Sequence, residues 1–329
     1  RDSVPRCTQS IRPRCREMTP QPSTPPAGGT DPRVVRPLTA AARLGDRPFK
    51  AANALPGHPL FQRDRIRKLL RTVPRARIEV REVPVSEVPG EGYRRGARLD
   101  MDPAEALDRL EERPLWMLVH DMWKHDADYG DLLKQYTGDL AASFHELRRP
   151  LSDVGCWLFC SSGKSVVHFH ADPDQSFLNQ IEGSKTVYVY PATLLPEPTI
   201  ECLAYYEDQG CVDYDPAYEA RMFEPAHLVP GESVFLPLYA PHRVTNDDGV
   251  CISWNVGFHT RVSRRRRSVH CVNHELRHLG RTPLPYGARP LRDVVKRRTR
   301  YVFSVKNRLF PAGKPKSPVD PALARTTHA

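Results

Sequence analysis

His170-Ala171-Asp172-Pro173-Asp174-Gln175-Ser176-Phe177-Leu178-Asn179-Gln180-Ile181-Glu182-Gly183-Ser184-Lys185 opens onto a region where short apolar stretches recur at close spacing. Turn-forming residues separate these stretches, the punctuation expected between short strands. Working outward from here gives eight strands, over 155–160, 165–170, 175–181, 185–190, 226–229, 233–238, 242–246 and 250–258. Eight antiparallel strands joined by turns fit a double-sheet jelly roll. The expected fold class is therefore mainly β, with a jelly-roll (double-stranded β-helix) core and flanking helices.

The same stretch carries chemistry. Residues two apart on a strand point the same way, so His170 and Asp172 can reach into one cavity. His242 arrives on a distant strand, in Tyr239-Ala240-Pro241-His242. A lone histidine is usually a core or surface residue. Two imidazoles and one carboxylate on a single face of a metal, with the remaining positions open, suit non-haem Fe(II) and oxygen chemistry. His168 is a rival ligand two residues before His170, but register against Gly163 and Gly183 favours His170. Lys185 adds a cation that could hold an anionic co-substrate.

The run from His170 to Lys185 resembles the iron-binding strand and turn of the jumonji-C group of 2-oxoglutarate oxygenases, most closely the asparaginyl-hydroxylase-like branch. Pro230-Gly231-Glu232-Ser233-Val234-Phe235-Leu236-Pro237-Leu238-Tyr239-Ala240-Pro241-His242 resembles the second half of that site, and Cys251 to Phe258 resembles the strand that follows it. Residues from about Pro48 to Arg300 look like the bacterial cupin-like jumonji-C proteins, with the resemblance strongest over 156–260. It implies Fe(II) on His170, Asp172 and His242, and no catalytic residue beyond these ligands. It also implies 2-oxoglutarate as co-substrate, its far carboxylate on Lys185 with Asn255 nearby, and O2 as oxidant. The implied reaction is hydroxylation of a C–H bond in a protein or peptide side chain or a small metabolite. Val167 and Ser176 depart from the pattern: they stand where those relatives carry a Thr and an Asn that help hold the co-substrate. A reading from another class is a non-enzymatic cupin that binds a metal or ligand and contacts a partner through a basic tail.

Composition sets the surroundings. Residues 1–47 are rich in Pro, Arg and Thr and are expected to be disordered, with 1–17, before Met18, a possible upstream extension. A flanking α/β region is expected over 48–150, the catalytic core over 151–262 with an insertion at 191–224 beside the mouth of the site, a basic helical region over 263–310, and a flexible tail over 311–329. Within these, helical patterns occupy Pro59–Leu70, Asp102–Glu112, Asp126–Phe144, Ser268–Leu279 and Leu291–Phe310, and strands Val80–Val85 and Leu115–His120. No stretch approaches the ~20 apolar residues of a membrane span, and the Arg- and Pro-rich start is no secretory signal, so a cytoplasmic protein is expected. The eight cysteines form no C-x-x-C pair.

Charge is uneven: residues 261–329 hold 18 Lys/Arg against 3 Asp/Glu, leaving the rest of a +10 chain at −5. Such runs are most often solvated, and without aromatic interleaving or a zinc finger no nucleic-acid partner is expected. Apolar positions Val269, Val272, Leu276 and Leu279 recur at helical spacing, so a homodimer through helices in 268–310 is expected. His270, His274 and His278 share one helical face, but no carboxylate on that face completes a metal site.

Overall fold

The computed structural model describes residues 33–39, 42–83, 97–147, 151–206 and 212–309. In chain order the N-terminal part runs β1 (Val35–Pro37), β2 (Phe49–Asn53), α1 (Arg63–Thr72), β3 (Ile78–Glu82), α2 (Pro103–Asp108), β4 (Leu115–His120), α3 (Met122–His125) and α4 (Ala127–Ser143). Then come β5 (Ser152–Ser161), β6 (Val166–Ala171), β7 (Gln175–Glu182), β8 (Lys185–Val189), α5 (Glu197–Tyr206), β9 (Ala226–Leu228), β10 (Glu232–Leu236), β11 (Pro241–Asn246) and β12 (Cys251–His259). Two helices follow, α6 (Arg261–His278) and α7 (Pro290–Leu309).

The strands form an eight-stranded sheet of order β1-β2-β10-β7-β12-β5-β4-β3 and a four-stranded sheet of order β6-β11-β8-β9. From β5 to β12 the chain crosses repeatedly between the two, and every ladder is antiparallel. That winding is a jelly roll. All eight core strands lie where the spacing of short stretches and turns places them. The first sheet is extended on one side by β4 and β3 and on the other by β2 and β1.

Alternation sorts the first sheet into two faces. Phe177, Ile181, Ile252, Trp254, Val256 and Phe258 join the N-terminal helices in one core. Leu178, Val234 and Leu236 meet Val187, Val189 and Val244 of the second sheet in another. α4 supplies the helical side of the first core through Tyr129, Leu132, Leu133, Tyr136 and Leu140, spaced for one face, and the Asp126 side chain caps its start. A buried network locks the register of this sheet. The Tyr136 hydroxyl donates to Asn179 Oδ1 at 2.8 Å, Ser233 Oγ donates to the same atom at 2.7 Å, and Asn179 Nδ2 donates to the Trp254 carbonyl at 2.9 Å.

Four expectations shift. Order begins before residue 48: β1 pairs with β2, Val35 is fully buried, and Val34 N–H donates to Asp139 of α4 at 2.7 Å. Residues 1–32 and the tail beyond 309 lie outside the described residues, as do 84 and 85 of the second N-terminal strand. The Asp102-capped helix is shorter, ending at Asp108. α6 starts seven residues earlier than its apolar spacing suggests. Thr260 Oγ1 accepts from Ser263 N–H while Ser263 Oγ accepts from Thr260 N–H, a capping box in which serine replaces the usual Glu or Gln. The insertion packs behind the second sheet: Leu195, Ile200, Leu203 and Ala204 bury against Phe169 and Ala171 of β6 and Cys271 of α6. The outward face of β6 is apolar and needs that cover. Among the described residues no helix is long and apolar enough to cross a membrane.

Candidate metal centre

β6 and β11 lie side by side in the second sheet with His170 opposite His242. Their rings stand 4.2 Å apart between centroids, and Asp172, just beyond the end of β6, brings Oδ2 to 3.7 Å from His242 Nε2. Donor atoms of His170, Asp172 and His242 all lie within 4.8 Å of one another, and all three residues are buried. Both imidazoles are held by their own strands. His170 Nδ1 meets the His168 carbonyl at 2.8 Å, and His242 Nδ1 meets the Ala240 carbonyl at 3.0 Å. A carbonyl can only accept, so Nδ1 carries the proton and Nε2 is the lone-pair nitrogen in each neutral ring. This is the orientation that backbone carbonyls impose on metal-binding histidines. The turn that delivers His242 places Tyr239 in the left-handed region at φ 59°, a costly conformation for a bulky residue.

A register shift between His242 and Val244 gives β6 one extra residue opposite Arg243, so that Val244 pairs with Val167. This bulge lets His170 and Val167, three residues apart, both face the other sheet. His168, the rival ligand, stacks beside His170 at 5.0 Å between rings and supplies the carbonyl that orients it.

Lys185 begins β8 opposite Asn246, while Val189 on the same strand faces His242. Lys185, Val187 and Val189 share the buried face, four residues separating the lysine from the level of the metal site. At about 3.3 Å per residue that is roughly 13 Å along the strand. Gly183 makes the preceding turn at φ +71°, where an added Cβ would lie 2.3 Å from the Val250 carbonyl oxygen. Lys185 is 5% exposed. Burial pushes its pKa below the ordinary lysine value, offset only in part by the thiols of Cys251 and Cys160. Among the described residues no carboxylate pairs with it. A buried cation without a counter-charge is costly unless an anion arrives.

Asn255 lies on β12 opposite Leu178. Its Oδ1 is buried without a hydrogen-bond partner, as are Ser176 Oγ and Ser165 Oγ. Leu178 fills the space between the sheets, and β12 pairs Asn255 with it and Gly257 with Ser176, so Asn255 and Ser176 open onto the same interior. The donor set, the unpaired cation and the orphaned polar atoms fit Fe(II) together with a small dicarboxylic acid spanning from metal to lysine. Sequence reasoning did not single out Ser165, Gln180 or Asn246; the last two are satisfied by Ser253 and Ser161, at 2.7 and 2.8 Å.

No family model matches the chain, and no curated protein matches it. Solved structures do. A crystal structure of Escherichia coli YcfD is 17% identical with a TM-score of 0.40, the match covering 82% of this chain and 65% of that one. YcfD, described as a ribosomal oxygenase, in complex with cobalt and succinic acid is 18% identical with a TM-score of 0.37, over 82% and 64%. Its complex with cobalt and 2-oxoglutarate is 19% identical with a TM-score of 0.37, over 79% and 63%. The chain thus spans a little under two thirds of the length of these structures.

Proposed function

We propose that this chain is an Fe(II)- and 2-oxoglutarate-dependent dioxygenase that hydroxylates a C–H bond. One observation carries the reading: a His-Asp-His face with both Nε2 lone pairs oriented by backbone carbonyls lies between the same two sheets as a buried lysine that no carboxylate pairs with among the described residues. Fe(II) bound by His170, Asp172 and His242 supplies, with 2-oxoglutarate and O2, the oxidising power of the reaction. The chain's own residues position and enclose. Lys185 offers a point charge to the far carboxylate, and Asn255 Oδ1 and Ser176 Oγ line the path between. Val187, Val189 and Leu236 keep bulk water out of that path.

The substrate in this reading is a protein or peptide side chain, or a small metabolite. The 18 Lys/Arg of residues 261–329 against 3 Asp/Glu favour an acidic substrate segment by long-range attraction. α7 leaves Leu291 and Val295 84% and 61% exposed, the kind of surface a second copy of the chain would cover in a homodimer. The test of the central claim is succinate formation from 2-oxoglutarate, dependent on both Fe(II) and O2 and lost in Asp172→Ala. Tight binding of metal and 2-oxoglutarate with no succinate under any condition would leave a binding module and end the enzyme reading.

A further inference from the structure

Glu197 and Glu201 lie four residues apart on α5, one turn of helix, and so share a face. α6 packs against that face and presents His270, whose side chain is fully buried. One donor atom from each residue lies within 4.8 Å of the others. His270 Nδ1 and Glu197 Oε2 are 3.8 Å apart, and among the described residues neither atom has a hydrogen-bond partner. That gap is too long for a hydrogen bond, which closes at about 3.2 Å. Two donors each about 2.1 Å from one Zn(II) stand roughly 3.4 Å apart in a tetrahedral site. The first centre, at 3.7 Å between His242 and Asp172, shows nearly the same separation.

We propose that Glu197, Glu201 and His270 form a second divalent-metal site, suited to Zn(II), that clamps the 191–224 insertion onto α6. Arg277 donates to both oxygens of the fully buried Glu201 and fixes that carboxylate, as outer partners of metal ligands do. The surrounding cations also select the ion. Arg266, Arg277 and Lys296 act on Glu197 against the charge of Glu201, so an ion held by charge alone, such as Mg(II) or Ca(II), gains little. Bonding to an imidazole nitrogen favours Zn(II).

The geometry makes a specific demand on Arg266. Its Nε–H donates to His270 Nε2 at 3.3 Å, which in a neutral ring places the proton on Nδ1. A metal on Nδ1 requires the other tautomer, so Arg266 must turn away. Asp46, 3.9 Å from Arg266 Nη1, is a carboxylate positioned to receive it. His270 also packs edge-on against Tyr239, three residues before His242, at 5.6 Å between rings. The clamp would thereby brace the turn that carries one ligand of the first centre.

Metal-stripped full-length Asp172→Ala, titrated with Zn(II) by calorimetry and checked by elemental analysis after desalting, isolates the second site from the first. One Zn(II) per chain is expected there, with at least tenfold weaker binding when Glu197→Gln or His270→Ala is added, and tighter binding when Arg266→Leu is added. Glu197 is partly exposed and its variant keeps the test valid where His270→Ala does not fold. No Zn(II) on Asp172→Ala, or Zn(II) bound equally by the Glu197→Gln double variant, would overturn the proposal. Neither result depends on whether the first centre takes iron.

Discussion

The two faces of the second sheet handle polar side chains in opposite ways. On the outward face Tyr190 and Tyr214 donate their hydroxyls to Glu219 at 2.6 and 2.8 Å. Arg243 donates to Glu219 and to the Tyr190 oxygen, and its guanidinium lies 3.7 Å from the Tyr188 ring centroid. Among the described residues, Lys185 on the inward face has no counter-charge, and across the gap Asn255 and Ser176 have buried oxygens without partners. A folded chain seldom leaves such groups unmet. Around Glu219 the outward face meets its own polar groups, whereas among the described residues the inward groups are left unmet.

The largest effect should come from the metal face. Asp172→Ala is expected to abolish turnover and weaken Fe(II) binding by at least a hundredfold while leaving the thermal unfolding of the metal-free protein nearly unchanged. Anaerobic Fe(II) titration is the measurement, and a variant that binds iron like the parent removes the assignment. Glu219→Ala asks the opposite question of the outward face. It leaves two tyrosine hydroxyls and an arginine without their acceptor, at a cost of about 2–3 kcal/mol in stability. Chemical denaturation should show that loss with Fe(II) affinity kept within a factor of about three. A large loss of iron affinity with no loss of stability would show that the two faces are not separate in function.

Much of this division was legible before the fold was seen, for a physical reason. Short stretches bounded by turn residues mark the eight core strands, and residues two apart on a strand share a face, so the strand positions and the pairing of His170 with Asp172 followed from spacing. Features set by a single local event did not. The bulge in β6 adds one residue opposite Arg243 and leaves no mark on composition. The start of α6 was hidden because Arg264 to Arg267 break the apolar rhythm that defines a helix face, and its cap uses Ser263 where the usual signal is Glu or Gln. β1 is three residues long and ends in a proline, so nothing in that stretch reads as a strand; β10 and β2 create its place. Likewise the face that His270, His274 and His278 share on α6 carries no carboxylate, and the two beside His270, Glu197 and Glu201, come from α5.

Lys185→Met sharpens the comparison by splitting two readouts. The apparent constant for 2-oxoglutarate should rise about tenfold, equivalent to about 1.4 kcal/mol, because one partner of a sheltered charge pair is gone. The ligand-free protein should become no less stable, because a desolvated cation is replaced by an apolar chain of similar length. The sign with pH follows from burial. The folded pKa lies below the ordinary lysine value, so the unfolded chain binds that proton more readily. Ligand-free stability therefore rises with pH between the lowered value and the ordinary one, about 10.4, and Lys185→Met should lose that slope. A variant less stable than the parent at neutral pH, with 2-oxoglutarate binding intact, would make Lys185 a structural residue and place the co-substrate elsewhere.

The smallest expected effect tests whether the inward face is as well built as it could be. Val167 faces the interior beside the metal centre because of the bulge, yet it cannot hydrogen-bond. Val167→Thr keeps the shape of the side chain and adds one hydroxyl. If 2-oxoglutarate occupies the interior between His170 and Lys185, that hydroxyl finds an oxygen on the ligand. A net hydrogen bond of about 1 kcal/mol tightens binding roughly fivefold, with little change in the ligand-free protein. If no ligand comes there, the hydroxyl joins Ser176 and Asn255 as another orphan and costs stability with no gain in affinity. Calorimetry of 2-oxoglutarate binding in the presence of Mn(II), without oxygen, together with a denaturation curve of the ligand-free variant, separates the two outcomes. Tighter binding places the co-substrate along β6; a destabilised variant with unchanged binding moves it toward β12, where Asn255 would be the residue to change next.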